Sequence, residues 1–146
     1  MRFKSIIIVK QTKGQVWEFL ANPLNSTKWD KSIDKVILPE SGFTGKGCRI
    51  VTIAPSGKQQ TFMVTQYQTP NFFSFQLLKS SMFKFADLSF KIEEVIDGTQ
   101  ITHEINIKLH ASSFFLSPIL LLTQKKSLSR DMQFLKKALD NNYPLK

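Results

Sequence analysis

Ser113-Phe114-Phe115-Leu116-Ser117-Pro118-Ile119-Leu120-Leu121-Leu122 opens a stretch that runs on to Asn141 and reads as one long helix with two unlike halves. The first half is apolar almost all round. The second sets Leu128, Met132, Leu135 and Leu139 on one stripe, with Lys125, Lys126, Arg130, Lys136 and Lys137 elsewhere. Such a stripe needs a broad apolar surface to cover it. The chain upstream supplies one, because most of residues 33–110 reads as short strands separated by turns. Pro118 fits two starts for the helix: a kink if it begins at Ser113, or the first helical residue after a Ser117 cap.

Working outward from that helix, the strand immediately before it is the most regular. Ile101, His103, Ile105, Ile107 and Leu109 alternate with polar neighbours, and Asp97-Gly98 ahead of them is a strong hairpin signal. The preceding strand, 83–95, changes phase: Phe83 and Phe85 share one parity, Leu88, Phe90 and Ile92 the other, which places a bulge near Ala86-Asp87. Further upstream, strands at 72–79, 59–68 and 48–54 are divided by Thr69-Pro70-Asn71 and Pro55-Ser56-Gly57-Lys58. A short strand near Val36 and Leu38 precedes a glycine-containing loop, 39–47. At the start of the chain, Ile6-Ile7-Ile8-Val9 suits a strand. Thr12-Lys13-Gly14-Gln15 then has capping-box spacing before Val16, Phe19 and Leu20, and Asn22-Pro23 starts a second short helix over 23–29.

Turns this tight make strand neighbours antiparallel, since parallel pairs need long crossovers. The reading is therefore α+β: a strand, two short helices, about six further strands and one long helix, in a single domain spanning residues 1–146. One core suits that length. Cys48 is the only cysteine, which excludes an internal disulfide and a multi-cysteine zinc site. No stretch reaches the ~20 apolar residues of a bilayer span, and no secretory pattern is visible at Met1, so a cytoplasmic protein is expected. The net charge of +9 is spread over both ends without a dense block. No helix-turn-helix, zinc-finger or RNA-binding signature accompanies it, so nucleic acid is not expected as a partner.

The order of elements resembles the Bet v 1-like, START-related superfamily, whose bacterial members include SRPBCC proteins of the polyketide cyclase/dehydrase type. The local residues that carry the likeness are Val16-Trp17-Glu18-Phe19-Leu20 through Asn22-Pro23, then Trp29-Asp30. The Gly45-Lys46-Gly47 turn, the Asp97-Gly98 hairpin and the final Phe134-Leu135-Lys136-Lys137-Ala138-Leu139 extend it over the whole chain. This resemblance implies a helix-grip fold, a curved antiparallel sheet of about seven strands around the long helix, with an apolar cavity between them. Such a cavity would hold a lipid, an isoprenoid or a polyketide-like molecule.

On that basis the expected ligand contacts are Trp29, Phe43, Phe62, Phe73, Phe75, Phe85, Phe90 and His103, joined by Phe115, Ile119 and Leu122 from the apolar half of the helix. That half would be cavity wall and lid, opening with the loops near Trp29 and Phe43. Thirteen phenylalanines suit an apolar guest, and each singly also suits a core. His103 is the leading candidate for proton transfer, because alternation puts it among apolar neighbours, where it would equally serve as a satisfied structural histidine. Asp87, re-aimed by the bulge, and Tyr67 are the other catalytic candidates, while Arg49 and Tyr67 could anchor a polar head group. His103 and His110 fall on opposite parities, so no metal site is expected, and no cofactor is implied. Binding or transport of a small hydrophobic molecule ranks first. A cyclase or dehydratase acting on a polyketide-like substrate ranks second. Third is a module whose basic helix face makes transient contact with a membrane surface or an acidic protein. Either a monomer or a homodimer is compatible with these readings.

Overall fold

A computed structural model describes residues 1–145. Strand β1 (Arg2–Val9) leads into helix α1 (Lys13–Leu20) and a 3₁₀ segment (Pro23–Lys28). Six strands follow: β2 (Lys35–Ile37), β3 (Arg49–Ile53), β4 (Gln59–Gln68), β5 (Phe72–Leu77), β6 (Phe83–Val95) and β7 (Gly98–Leu109). A second 3₁₀ segment (Ala111–Leu116) and helix α2 (Ser117–Asn142) complete the chain. The seven strands form one antiparallel sheet in the order β1-β7-β6-β5-β4-β3-β2, so the first strand closes onto the last. The α+β reading with two short helical segments after β1 therefore holds.

Local chemistry accounts for the helix starts. The Thr12 side chain accepts from the Gln15 amide while Gln15 Oε1 accepts from the Thr12 amide, the reciprocal capping box expected from the sequence. Asn22 Oδ1 caps the first 3₁₀ segment at Leu24, with Pro23 at its first position. At α2 neither expected start is found. Ser117 is itself helical, Pro118 sits in the first turn, and the Ser117 hydroxyl donates to the Phe114 carbonyl of the preceding 3₁₀ turn.

Two bulges bend the sheet. One leaves Lys84 without an opposite residue, because Phe83 pairs with Leu109 and Phe85 with Lys108. The bulge expected at Ala86-Asp87 thus lies two residues earlier. The other skips Thr65 in β4, whose hydroxyl is 2.7 Å from that of Ser74. At the β6–β7 turn Gly98 adopts φ +144°, and a Cβ there would fall 2.0 Å from the Val9 carbonyl oxygen. Only glycine lets the hairpin pass so close to the end of β1.

The apolar interior divides into three clusters. In the largest, Met132, Leu135 and Leu139 of α2 pack on Val9, Phe90, Ile92 and Ile101 of the sheet and on Val16 and Phe19 of α1. A second joins Leu128 to Phe3, Ile107 and Leu109, with Leu120, Met82 and Phe83 at its margin. The third lies toward the β2 edge, around Cys48, Ile50 and Val64. The Leu128-to-Leu139 stripe is buried at every position, as its spacing requires.

Candidate functional site

The three clusters do not meet completely. Between them lies a cavity of about 280 Å³, bounded by Trp29, Phe73 and Phe90 of the first, Phe83, Ile105 and Ile107 of the second, and Phe43, Ile50, Val64 and Tyr67 of the third. Protein interiors ordinarily pack to crystal-like density, so a gap of this size in an apolar setting is a built feature. Its volume falls near the lower end of the ~300–1,000 Å³ typical of ligand clefts.

Aromatic rings hold the walls apart through contacts among themselves. Phe73 and Phe90 stack at 5.1 Å between centroids, Phe62 meets Phe75 edge-on at 5.4 Å, and Trp29 meets Phe90 edge-on at 5.9 Å. Tyr67 bridges Phe43 at 5.4 Å and Trp17 at 5.1 Å. Each of these rings is braced by at least one other, so the wall is stiff without filling the space.

His103 is the buried titratable group of this wall. Its ring lies 3.9 Å from that of Phe90 and within 4° of parallel. Nδ1 is 2.9 Å from the Ser89 carbonyl; a carbonyl only accepts, so Nδ1 carries the proton and Nε2 is left as the acceptor. Burial lowers its pKa to about 4, against a smaller upward pull from that hydrogen bond, and the imidazole is neutral at pH 7. Asp30, also in the wall, is engaged locally: its Oδ1 accepts from the Ser32 amide at 3.0 Å and the Ser32 hydroxyl at 2.6 Å.

The structure brings together Trp29, Phe43, Phe62, Tyr67, Phe73, Phe75, Phe90 and His103 from the sequence candidates. Others lie elsewhere. Phe85, 38% exposed, sits opposite Lys108 on the outer face of the sheet, because the bulge at Lys84 changes the phase one step before it rather than after it. Asp87 pairs with Asn106 on that same outer face and does not reach the cavity; partial burial raises its pKa. Phe115, Ile119 and Leu122 are 74%, 57% and 74% exposed and are absent from the wall, so the apolar half of the helix is not a cavity wall. Arg49 points to solvent.

From α2 it is Gln124 that reaches the cavity. It is not among the sequence candidates, although Gln124, Leu128 and Met132 follow one another at four-residue steps, which extends the buried stripe by one position. Ile105 and Ile107 are likewise additions to the wall, although they share the parity of His103. Val64 and Phe83 adjoin bulges, where parity gives no guidance. Among the described residues no group of three or more His, Cys, Asp or Glu is placed to hold a metal ion.

No family model matches the sequence, and no curated protein matches it. Solved structures do resemble it. The protein TTHA0849 from Thermus thermophilus superimposes with a TM-score of 0.78 at 11% identity, covering 98% of this chain and 99% of that one. Ara h 8.0201 gives 0.70 at 12% identity, covering 97% and 96%. The fold is the Bet v 1-like helix-grip fold. A further helix-grip neighbour is the di-domain ARO/CYC StfQ from the steffimycin biosynthetic pathway, with a TM-score of 0.78 at 7% identity; it covers 99% of this chain and 52% of that one. Identities this low carry the helix-grip architecture and leave the chemistry to the residues in hand.

One charged neighbour of the site has a measurable consequence. The Asp131 carboxyl on α2 is raised to about 6, first by burial and then by repulsion from Asp30, with Arg130 opposing. A raised carboxylate weakens the fold when ionised, so the penalty is complete above about pH 6 and fades as pH falls toward 3.8. Asp131→Asn is expected to raise stability by about 1 kcal/mol at pH 8, after discounting for partial exposure. The gain should vanish near pH 4 in urea titrations run at both values.

Proposed function

We propose that this protein binds a small, mostly apolar molecule in the cavity between sheet and α2, and carries or senses it without transforming it. The observation that supports this reading is the cavity itself, about 280 Å³ walled by eight aromatic side chains and a neutral imidazole. Such a wall offers large rigid contact area, while His103 Nε2, the Tyr67 hydroxyl and Gln124 supply a few polar contacts for orientation.

The cyclase-like alternative draws on likeness to ARO/CYC proteins such as StfQ. It requires a competent base. An imidazole with a pKa of about 4 takes up a proton at pH 7 at a cost of about 4 kcal/mol, and Asp87 is on the far side of the sheet. Binding without turnover is the better fit.

Native mass spectrometry of the purified protein, followed by organic extraction, tests the reading, together with uptake of fluorescent fatty-acid and isoprenoid probes. The protein is expected to carry or take up an apolar compound. Ala86, a small buried wall residue on β6, is the place to block it. Ala86→Phe should cut probe affinity by about ten-fold or more, since the guest and the new ring compete for one volume. A protein that is empty as purified and refuses every probe would overturn the proposal.

A further inference from the structure

Outside the cavity, the surface feature that packing does not explain is the start of α2. Phe114, Phe115, Ile119, Leu121 and Leu122 are each more than half exposed, and the clusters of the core leave all five uncovered. Only Leu120 of this turn packs inward, against the cluster of Phe3, Ile107, Leu109 and Leu128. Ile119 and Leu122 lie three residues apart, with Lys125 and Lys126 three and four residues beyond Leu122, so lysines and apolar side chains share one helix face. From Ile105 to Arg130 the chain contains Lys108, Lys125, Lys126 and Arg130, and no aspartate or glutamate.

A second observation points the same way. Beside this helix start a polar surface pocket is lined by Lys58, Lys79, Lys84, Ser80, Ser81 and His110, with no carboxylate among its lining residues. It adjoins the apolar patch because the His110 amide donates to the Met82 carbonyl, at 3.1 Å, one residue before the 3₁₀ turn that carries Phe114 and Phe115. Hydroxyls and ammonium groups around a concavity are the donor set that phosphate oxygens accept from.

We infer that this end of the molecule docks on an anionic phospholipid surface. The apolar side chains of 114–122 enter the acyl boundary, and Lys58, Lys79, Lys84, Lys125 and Lys126 meet headgroup phosphates. No described helix is long and apolar enough to cross a membrane, so the contact is interfacial. A second copy of the chain is the weaker occupant. A symmetric pairing of this face would set Lys125 and Lys126 against their own counterparts, with no acidic residue between Ile105 and Arg130 to offset them. The inference does not depend on what the cavity holds.

Co-flotation of the full chain with vesicles decides it. Binding is expected to vesicles of equimolar phosphatidylcholine and phosphatidylglycerol, to be much weaker on phosphatidylcholine alone, and to decline as salt rises. Phe115→Ser with Leu122→Ser should weaken binding by about ten-fold or more. Lys125→Gln with Lys126→Gln should remove about five-fold per lysine on the anionic vesicles and change little on the neutral ones. All four positions are exposed, so melting temperatures should match the unmodified protein. Absence of binding, or binding indifferent to both pairs, overturns the inference. So does a stable dimer in light scattering that the Phe115→Ser, Leu122→Ser protein fails to form, which would assign the face to a second copy.

Discussion

Phe90→Ala is expected to cost about 3–5 kcal/mol, the range for removing a fully buried aromatic ring. Phe90 is 2% exposed and is the ring on which the site converges: Phe73 stacks on one side at 5.1 Å, His103 lies parallel at 3.9 Å, and Trp29 meets it edge-on at 5.9 Å. Removing this ring would enlarge the existing cavity, and its braced neighbours can collapse into the gap only in part. Phe62→Ala provides the comparison. Phe62 also lines the cavity, yet it is only half-buried and stands outside the three clusters, so its loss should cost about 1–2 kcal/mol. Urea titrations of the two variants measure the contrast. Equal costs would mean that Phe90 is not the keystone of the wall. Excess indole should recover part of the stability of Phe90→Ala and little of that of Phe62→Ala, because only the former leaves a ring-sized enclosed void.

The fold was legible because its decisive signals are local and repeated. Alternating four- and three-residue steps from Leu128 to Leu139, two-residue steps from Ile101 to Leu109, the Thr12/Gln15 capping box and the Asp97-Gly98 turn each report on a few neighbouring residues, and the structure contains all of them. Parity also carried the wall where strands are regular: His103, Phe90 and Phe73 face inward together, paired across β5, β6 and β7. It failed where the ladder slips. A bulge at Lys84 or at Ala86-Asp87 satisfies the same hydrophobic pattern on one strand, and only pairing with Leu109 and Lys108 distinguishes them. Phe85 and Asp87 fall outside the cavity for that reason alone. The apolar half of the final helix departs from expectation on different grounds. Hydrophobicity all round a helix says that it avoids water without saying what covers it, and burial within the monomer is only one of the solutions.

Acidification provides the sharpest test of His103. Its folded pKa of about 4 lies below the ordinary 6.5, so between these values the unfolded chain binds a proton that the folded protein refuses. Stability must therefore fall as pH drops from about 6.5 toward 4, by about 3 kcal/mol over that window from this residue alone. Asp131 works in the opposite sense through an overlapping range, since its raised pKa favours the folded state as it protonates. The unmodified protein should accordingly show a flatter profile than either group would give singly. His103→Asn isolates the imidazole, because an asparagine amide can still donate toward the Ser89 carbonyl while Asp131 is unchanged and cancels in the comparison. At pH 7.5 the variant is expected to be the less stable, having lost the parallel contact with Phe90. On lowering the pH to 4 the unmodified protein should lose about 3 kcal/mol relative to it, narrowing or reversing the difference. Two parallel stability curves would place His103 in contact with water, and would remove the reason for treating it as a neutral acceptor facing an apolar guest.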